Sequence, residues 1–125
     1  DLPENGDVQS AVRTMYEDGK VVAAVCHGPA AFVNVKLSDG SWLVNGKTLS
    51  TFTDDEERAV EKDEIVPFLL ENKLRERGAT IDKAENFEAS VSVDQRIVTG
   101  QNPASARGVG EAIRDLIKER DAKAA

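Results

Sequence analysis

Apolar residues fall along this chain in three kinds of spacing, and each predicts a different element. From Val8 to Glu17 they stand at positions 8, 11, 12 and 15, one face of a helix, and Gly19 marks the stop. Val21 to Val25 is apolar without a break. Such a run predicts a short strand buried on both faces, central in a parallel sheet. Gly28-Pro29-Ala30-Ala31-Phe32-Val33 then predicts a helix start, with Pro29 suited to the first turn.

The segment SWLVNGKTLST alternates on both sides of Asn45-Gly46 and predicts a hairpin with a type I′ turn. Thr53 or Asp54 is placed to cap a helix whose first turn is acidic. Apolar positions 65, 66, 68, 69, 70 and 74 predict a further amphipathic helix, closed by Gly78. ATIDKAE predicts a short strand, and ASVSVDQRIVTG a strand pair turning at Asp94-Gln95. A last helix is entered through Asn102-Pro103 and frays at its Ala/Lys-rich end.

Together these elements predict a layered α/β sandwich. No repeat or low-complexity linker interrupts it, so a single domain is expected. The pattern also contains a deficit. A central Val21–Val25 strand needs parallel neighbours on both sides, and few other segments qualify. The chain opens on Asp1 rather than Met, in a loop running into a helix. Both features create the expectation of a chain that starts in the middle of a fold.

Composition narrows the function. The formal charge of −7 over 125 residues leaves no basic face for nucleic acid. KLRERG and IKERDAK intersperse bases with acids and read as solvated helix surface. No apolar run approaches the ~18 residues of a membrane span. The single cysteine excludes an internal disulfide, and with no apolar leader at the start it points to a reducing compartment such as the cytoplasm. Neither GxGxxG nor GxxxxGK[ST] occurs. One His and one Cys do not make a zinc site of known spacing. No cofactor and no metal is expected.

The only cysteine and the only histidine, Cys26 and His27, stand side by side where the valine run ends. A strand, a sharp turn and a helix with the nucleophile at the turn form a nucleophile elbow. The turn exposes the side chain at the carboxyl end of the strand, where α/β folds bind ligands. A helix N-terminus facing a thiol lowers its pKa and favours the thiolate. Backbone N–H groups after Cys26 are candidates for an oxyanion hole. The plainer alternative is a buried packing cysteine beside a surface histidine. Asp54, Asp55 and Glu56 read as capping and surface acids. Trp42 and Phe52 read as core or as cover of the site.

At AVCHGPAAF the sequence resembles the ThiJ/PfpI superfamily, whose fold is like that of class I glutamine amidotransferases. LSDGSWLVNGKTLSTFTDDEE and NFEASVSVDQRIVTGQNPASARGVGEAI extend the resemblance to its chaperone/glyoxalase III branch over most of the chain. The resemblance implies a flavodoxin-like three-layer sandwich with a mostly parallel sheet, of which residues 1–125 are the C-terminal portion of one domain. It also implies a Cys-His-acid arrangement of Cys26, His27 and Glu57, the last from the FT-x-x-x-E pattern. A second glutamate, in the family's first half, has no match here.

The implied activity is that of a glyoxalase III, turning methylglyoxal into lactate without glutathione, or of a related deglycase or hydrolase. The implied partner is a small reactive aldehyde, with a homodimer allowed and neither nucleic acid nor membrane involved. A stress-response chaperone or redox sensor of the same superfamily is the non-enzymatic alternative. A glutamine amidotransferase is disfavoured, because no His-x-Glu stands near the end of the chain.

Overall fold

The computed structural model describes residues 1–124. Helix α1 (Gly6–Glu17) starts at Asn5, whose side chain accepts the N–H groups of Asp7 and Val8 at 2.9 and 3.1 Å. That satisfies two of the donors every helix start leaves open. Val12 and Tyr16 turn this helix toward the core. Strand β1 (Val22–Val25) follows. A 3₁₀ turn, Gly28–Phe32, succeeds it where a helix start was predicted.

Strand β2 (Thr48–Leu49) leads into α2 (Asp54–Ala59), and α3 (Leu70–Glu76) into β3 (Thr80–Ile81). Strands β4 (Val91–Asp94) and β5 (Ile97–Gly100) form the predicted strand pair, with Gln95 at φ +53° in the turn. A 3₁₀ turn at Pro103–Ser105 opens the last helix, α4 (Ala106–Ala124), as the Asn102-Pro103 pair predicted.

The main sheet has the order β1-β5-β4. Strand β1 lies parallel to β5, from Val22 opposite Ile97 to Val25 opposite Gly100, and β4 is antiparallel to β5. Strands β2 and β3 make a separate parallel pair. Side chains tie β2 to the main sheet. The Asp94 carboxylate accepts the Thr48 N–H at 2.8 Å, and the Thr99 hydroxyl accepts the Ser50 N–H at 2.8 Å. Val33, Val35, Leu43, Val44, Leu49 and Ile97 are fully buried. Each such side chain stabilises the fold by roughly 1.5–3 kcal/mol.

Two glycines let α4 approach the sheet. A Cβ on Gly100 would lie 2.7 Å from Val109 Cγ2 and 2.9 Å from Ser105 Cβ; one on Gly108 would lie 2.9 Å from Val91 Cγ2. Side-chain carbons do not pack that closely.

Two predicted elements are corrected. The Asn45-Gly46 turn exists, with Gly46 at φ +75°, but its flanks do not pair. Trp42 instead bridges to Lys36, and β2 pairs with β3 from thirty residues on. The helix expected from residue 65 begins only at Leu70, because Pro67 interrupts the pattern and residues 60–68 run as successive turns. Among the described residues strand β1 is the outer strand of the three, with Val22 buried and Ala23 exposed. Only β5 pairs with it among the described residues. Among the described residues no helix is long and apolar enough to cross a membrane.

Candidate active site

Cys26 directly follows β1, and its N–H continues the ladder to Gly100 O at 2.9 Å. Its own backbone has φ +64°. A non-glycine residue in this left-handed region carries about 1–3 kcal/mol of strain, and such residues concentrate at functional sites. The carbonyl of Cys26 is held from the other side by the Phe52 N–H at 2.9 Å. The elbow is therefore clamped between the end of β5 and the segment after β2.

The side chains of Cys26, His27 and Glu57 come together. Cys26 Sγ lies 3.5 Å from His27 Nδ1, and His27 Nε2 lies 2.8 Å from Glu57 Oε2. With the imidazole proton on Nε2 donated to the carboxylate, Nδ1 presents a lone pair to the thiol. The exposures differ along this line: the His27 side chain is 52% accessible and that of Glu57 only 4%. The ring of Phe52 packs beneath His27, with centroids 4.3 Å apart and planes tilted by 34°.

Helix α2 delivers the acid. Thr53 caps it by accepting the Glu56 N–H at 3.0 Å, while Glu56 Oε1 accepts the Thr53 N–H at 3.0 Å. This reciprocal box fixes where the first turn begins. Glu57, one residue further on, then reaches the imidazole thirty residues back in the chain.

The thiol itself is not acidified. Burial pushes the Cys26 pKa above its ordinary value, and the charges of Glu56 and Glu57 add to this; the His27 backbone N–H opposes it only in part. Gly28–Phe32, expected to open a helix whose N-terminus faces the thiol, is five residues of 3₁₀ turn.

Beside the imidazole lies a cavity of about 640 Å³. His27 and Glu57 form part of its wall, and Pro3, Val66, Pro67 and Phe68 line its apolar side. Another cleft, lined by Thr53, Asp55, Lys83 and Glu85 among others, contains none of the three site residues. Among the described residues no cluster of three or more His, Cys, Asp or Glu side chains is arranged to hold a metal ion.

The model of the DJ-1/PfpI family matches residues 1–115. The chain belongs to the DJ-1/PfpI family. Its relatives include a probable glutathione-independent glyoxalase of Schizosaccharomyces pombe, 36% identical over 120 residues, covering 90% of this chain and 53% of that protein. The crystal structure of glyoxalase III from Candida albicans superposes with a TM-score of 0.86 at 35% identity, covering 92% of this chain and 51% of that one. The rapid encystment protein of 24 kDa from Francisella tularensis gives 0.90 at 37% identity, with 92% and 51% covered. The chain spans about half the length of the curated relatives it matches.

One member of this DJ-1/PfpI site runs against its sequence reading. Glu56, read as a surface acid, is completely buried. The Thr53-x-x-Glu56 spacing of a capping box was the signal that could have turned it inward. Trp42 lines none of the site's cavity; Lys36 Nζ and Arg77 Cζ lie over its ring, 4.8 and 4.2 Å from the centre.

Proposed function

We propose that Cys26, His27 and Glu57 form the nucleophilic half of a cofactor-independent glyoxalase of the glyoxalase III type, acting on methylglyoxal or a related 2-oxoaldehyde. The observation that carries this reading is the unbroken line from Sγ through Nδ1 and Nε2 to Oε2, at 3.5 and 2.8 Å, beside a cavity that the imidazole helps to line. The glyoxalase names of the relatives support the choice of substrate class.

The chemistry balances with water alone. Nδ1 of His27 takes the thiol proton as Sγ bonds to the aldehyde carbon, and the carbonyl oxygen gains a proton to give a hemithioacetal. A base moves the hydrogen of that carbon to the neighbouring carbonyl carbon through an enediol, leaving a thioester. Water cleaves the thioester, and lactate and the free thiol are released. The hydride equivalent stays within the substrate, so no redox cofactor is consumed. The family resemblance gives the enediol step mainly to a glutamate with no counterpart among residues 1–125. In this chain His27 assists and Glu57 orients it.

Residues 1–125 are read as one part of a single domain, whose remaining part completes the pocket. The test is lactate formation from methylglyoxal without glutathione, by the full-length protein and by residues 1–125 alone. Lactate from the full-length protein, abolished by Cys26→Ala, supports the reading. Turnover retained by that variant removes Cys26 from the mechanism, and full activity of residues 1–125 alone defeats the reading of a divided site. The chaperone alternative gives the aligned thiol, imidazole and carboxylate no task.

A further inference from the structure

We propose that Glu56 is a positioning residue of this site, holding the His27 ring against Cys26 through Phe87 and Phe52, while its neighbour Glu57 holds the ring nitrogen. Glu56 is completely buried, and both its oxygens are used twice. Oε1 accepts the N–H and the hydroxyl of Thr53, at 3.0 and 3.2 Å. Oε2 accepts the Phe87 N–H at 2.7 Å and the Asn102 amide at 2.9 Å. Asn102 in turn donates to the Glu88 carbonyl at 2.7 Å. Residues 87 and 88 are thereby anchored to the first turn of α2.

That anchor bears on the site because of where Phe87 points. Its backbone sits at φ +61°, a conformation needing outside support in a non-glycine residue. The bond to Glu56 supplies such support. The Phe87 ring meets Phe52 edge-on, with centroids 6.0 Å apart, and Phe52 packs on His27 at 4.3 Å. An imidazole more than half exposed needs such a backstop to keep Nδ1 on the thiol. Four donors converge on Glu56, and only a carboxylate can accept them all. A glutamine has one oxygen, so its amide N–H groups would oppose either Thr53 or Phe87.

The charge of Glu56 provides a separate signature. The ionisable groups bearing on Cys26 are His27, Glu56 and Glu57, and both carboxylates disfavour the thiolate. Glu56→Gln removes one of those charges. Phe87→Ala leaves the charges in place and removes only the ring, which is half exposed and whose loss opens no core hole.

The kinetic part of the test rests on the glyoxalase reading; the spectroscopic part does not. In the full-length protein, kcat, KM, the pH profile of Cys26 alkylation by iodoacetamide and the assigned His27 imidazole resonances are compared across both variants. A misplacement of even 1 Å lowers rates strongly, so kcat is expected to fall about tenfold in each variant with KM nearly unchanged. The alkylation midpoint should move to lower pH in Glu56→Gln only. The His27 resonances should shift in both variants. If Glu56→Gln fails to fold, Phe87→Ala carries the test. His27 resonances unmoved by Phe87→Ala overturn the proposal, as does an unchanged kcat in that variant. If the wild-type protein turns over no 2-oxoaldehyde, the glyoxalase reading fails, and the His27 resonances alone decide for or against Glu56.

Discussion

Glu57 Oε2 holds His27 Nε2 at 2.8 Å, and a nearly inaccessible carboxylate thereby anchors a ring whose other side faces solvent. The bond selects the tautomer that turns the Nδ1 lone pair toward sulfur. Glu57→Gln keeps the size but removes the carboxylate acceptor that favours this arrangement. A fall in kcat of about 10²-fold is expected, within the range of a lost acid–base partner. Steady-state kinetics of the full-length protein, with the His27 nitrogen shifts read by NMR, check it.

Cys26 should behave as a sluggish thiol despite its place at an elbow. Burial raises its pKa, so alkylation in the native protein should reach half its maximal rate at a higher pH than in the unfolded chain. A folded-state pKa above the unfolded value gives stability that is present below the unfolded pKa and lost as pH rises through the folded one. Alkaline unfolding should therefore be less steep in Cys26→Ala than in the wild type. Chemical unfolding curves from neutral to alkaline pH check this.

On the acid side the buried carboxylates dominate. Burial alone would raise the pKa of Glu56, but the bonds from Thr53, Asn102 and Phe87 outweigh it and hold the group below its usual range. Burial acts on Glu71 in the same way, and the Asp54 N–H, Arg75 and Lys83 reverse it. Stability from both is present above the unfolded carboxylate pKa and lost as pH falls through the depressed values. Asp54 works in the opposite sense, its pKa raised by burial and by Glu71. Glu71→Gln is expected to flatten the acid limb of stability against pH, as read by thermal melts.

Gly100→Ala should damage the fold and the site together. The added Cβ meets Val109 at 2.7 Å, Ser105 at 2.9 Å and Val25 at 3.0 Å, and all three contacts are with short side chains. Overpacking of this kind costs about 1–3 kcal/mol. The Gly100 carbonyl also accepts the Cys26 N–H, so relaxation of the clash displaces the elbow. A lowered melting temperature with a fall in kcat is expected; a lowered melting temperature with full kcat would separate the two roles.

Local patterns were legible where local interactions decide them. The spacing in α1, the strand pair β4–β5 and the cap at Thr53 were read from the sequence because each depends on a few neighbouring residues. The partner of β2 was not, because it comes from β3 and no local pattern announces a non-local parallel pair. The direction of four successive acids was also hidden. Glu57 faces His27 and Glu56 faces Phe87 and Asn102, and these partners lie thirty or more residues away. The direction of the thiol's pKa was hidden for the same reason: burial and the charges of Glu56 and Glu57, which lie about thirty residues away, raise it, and no local pattern announces them.

The left-handed backbone at Cys26 has a consequence for what occupies the position. Any side chain there bears the strain, whereas glycine escapes most of it. By stability alone, then, residue 26 would be glycine. A protein that keeps a sulfur at this point gives up robustness to hold a chemical group on station.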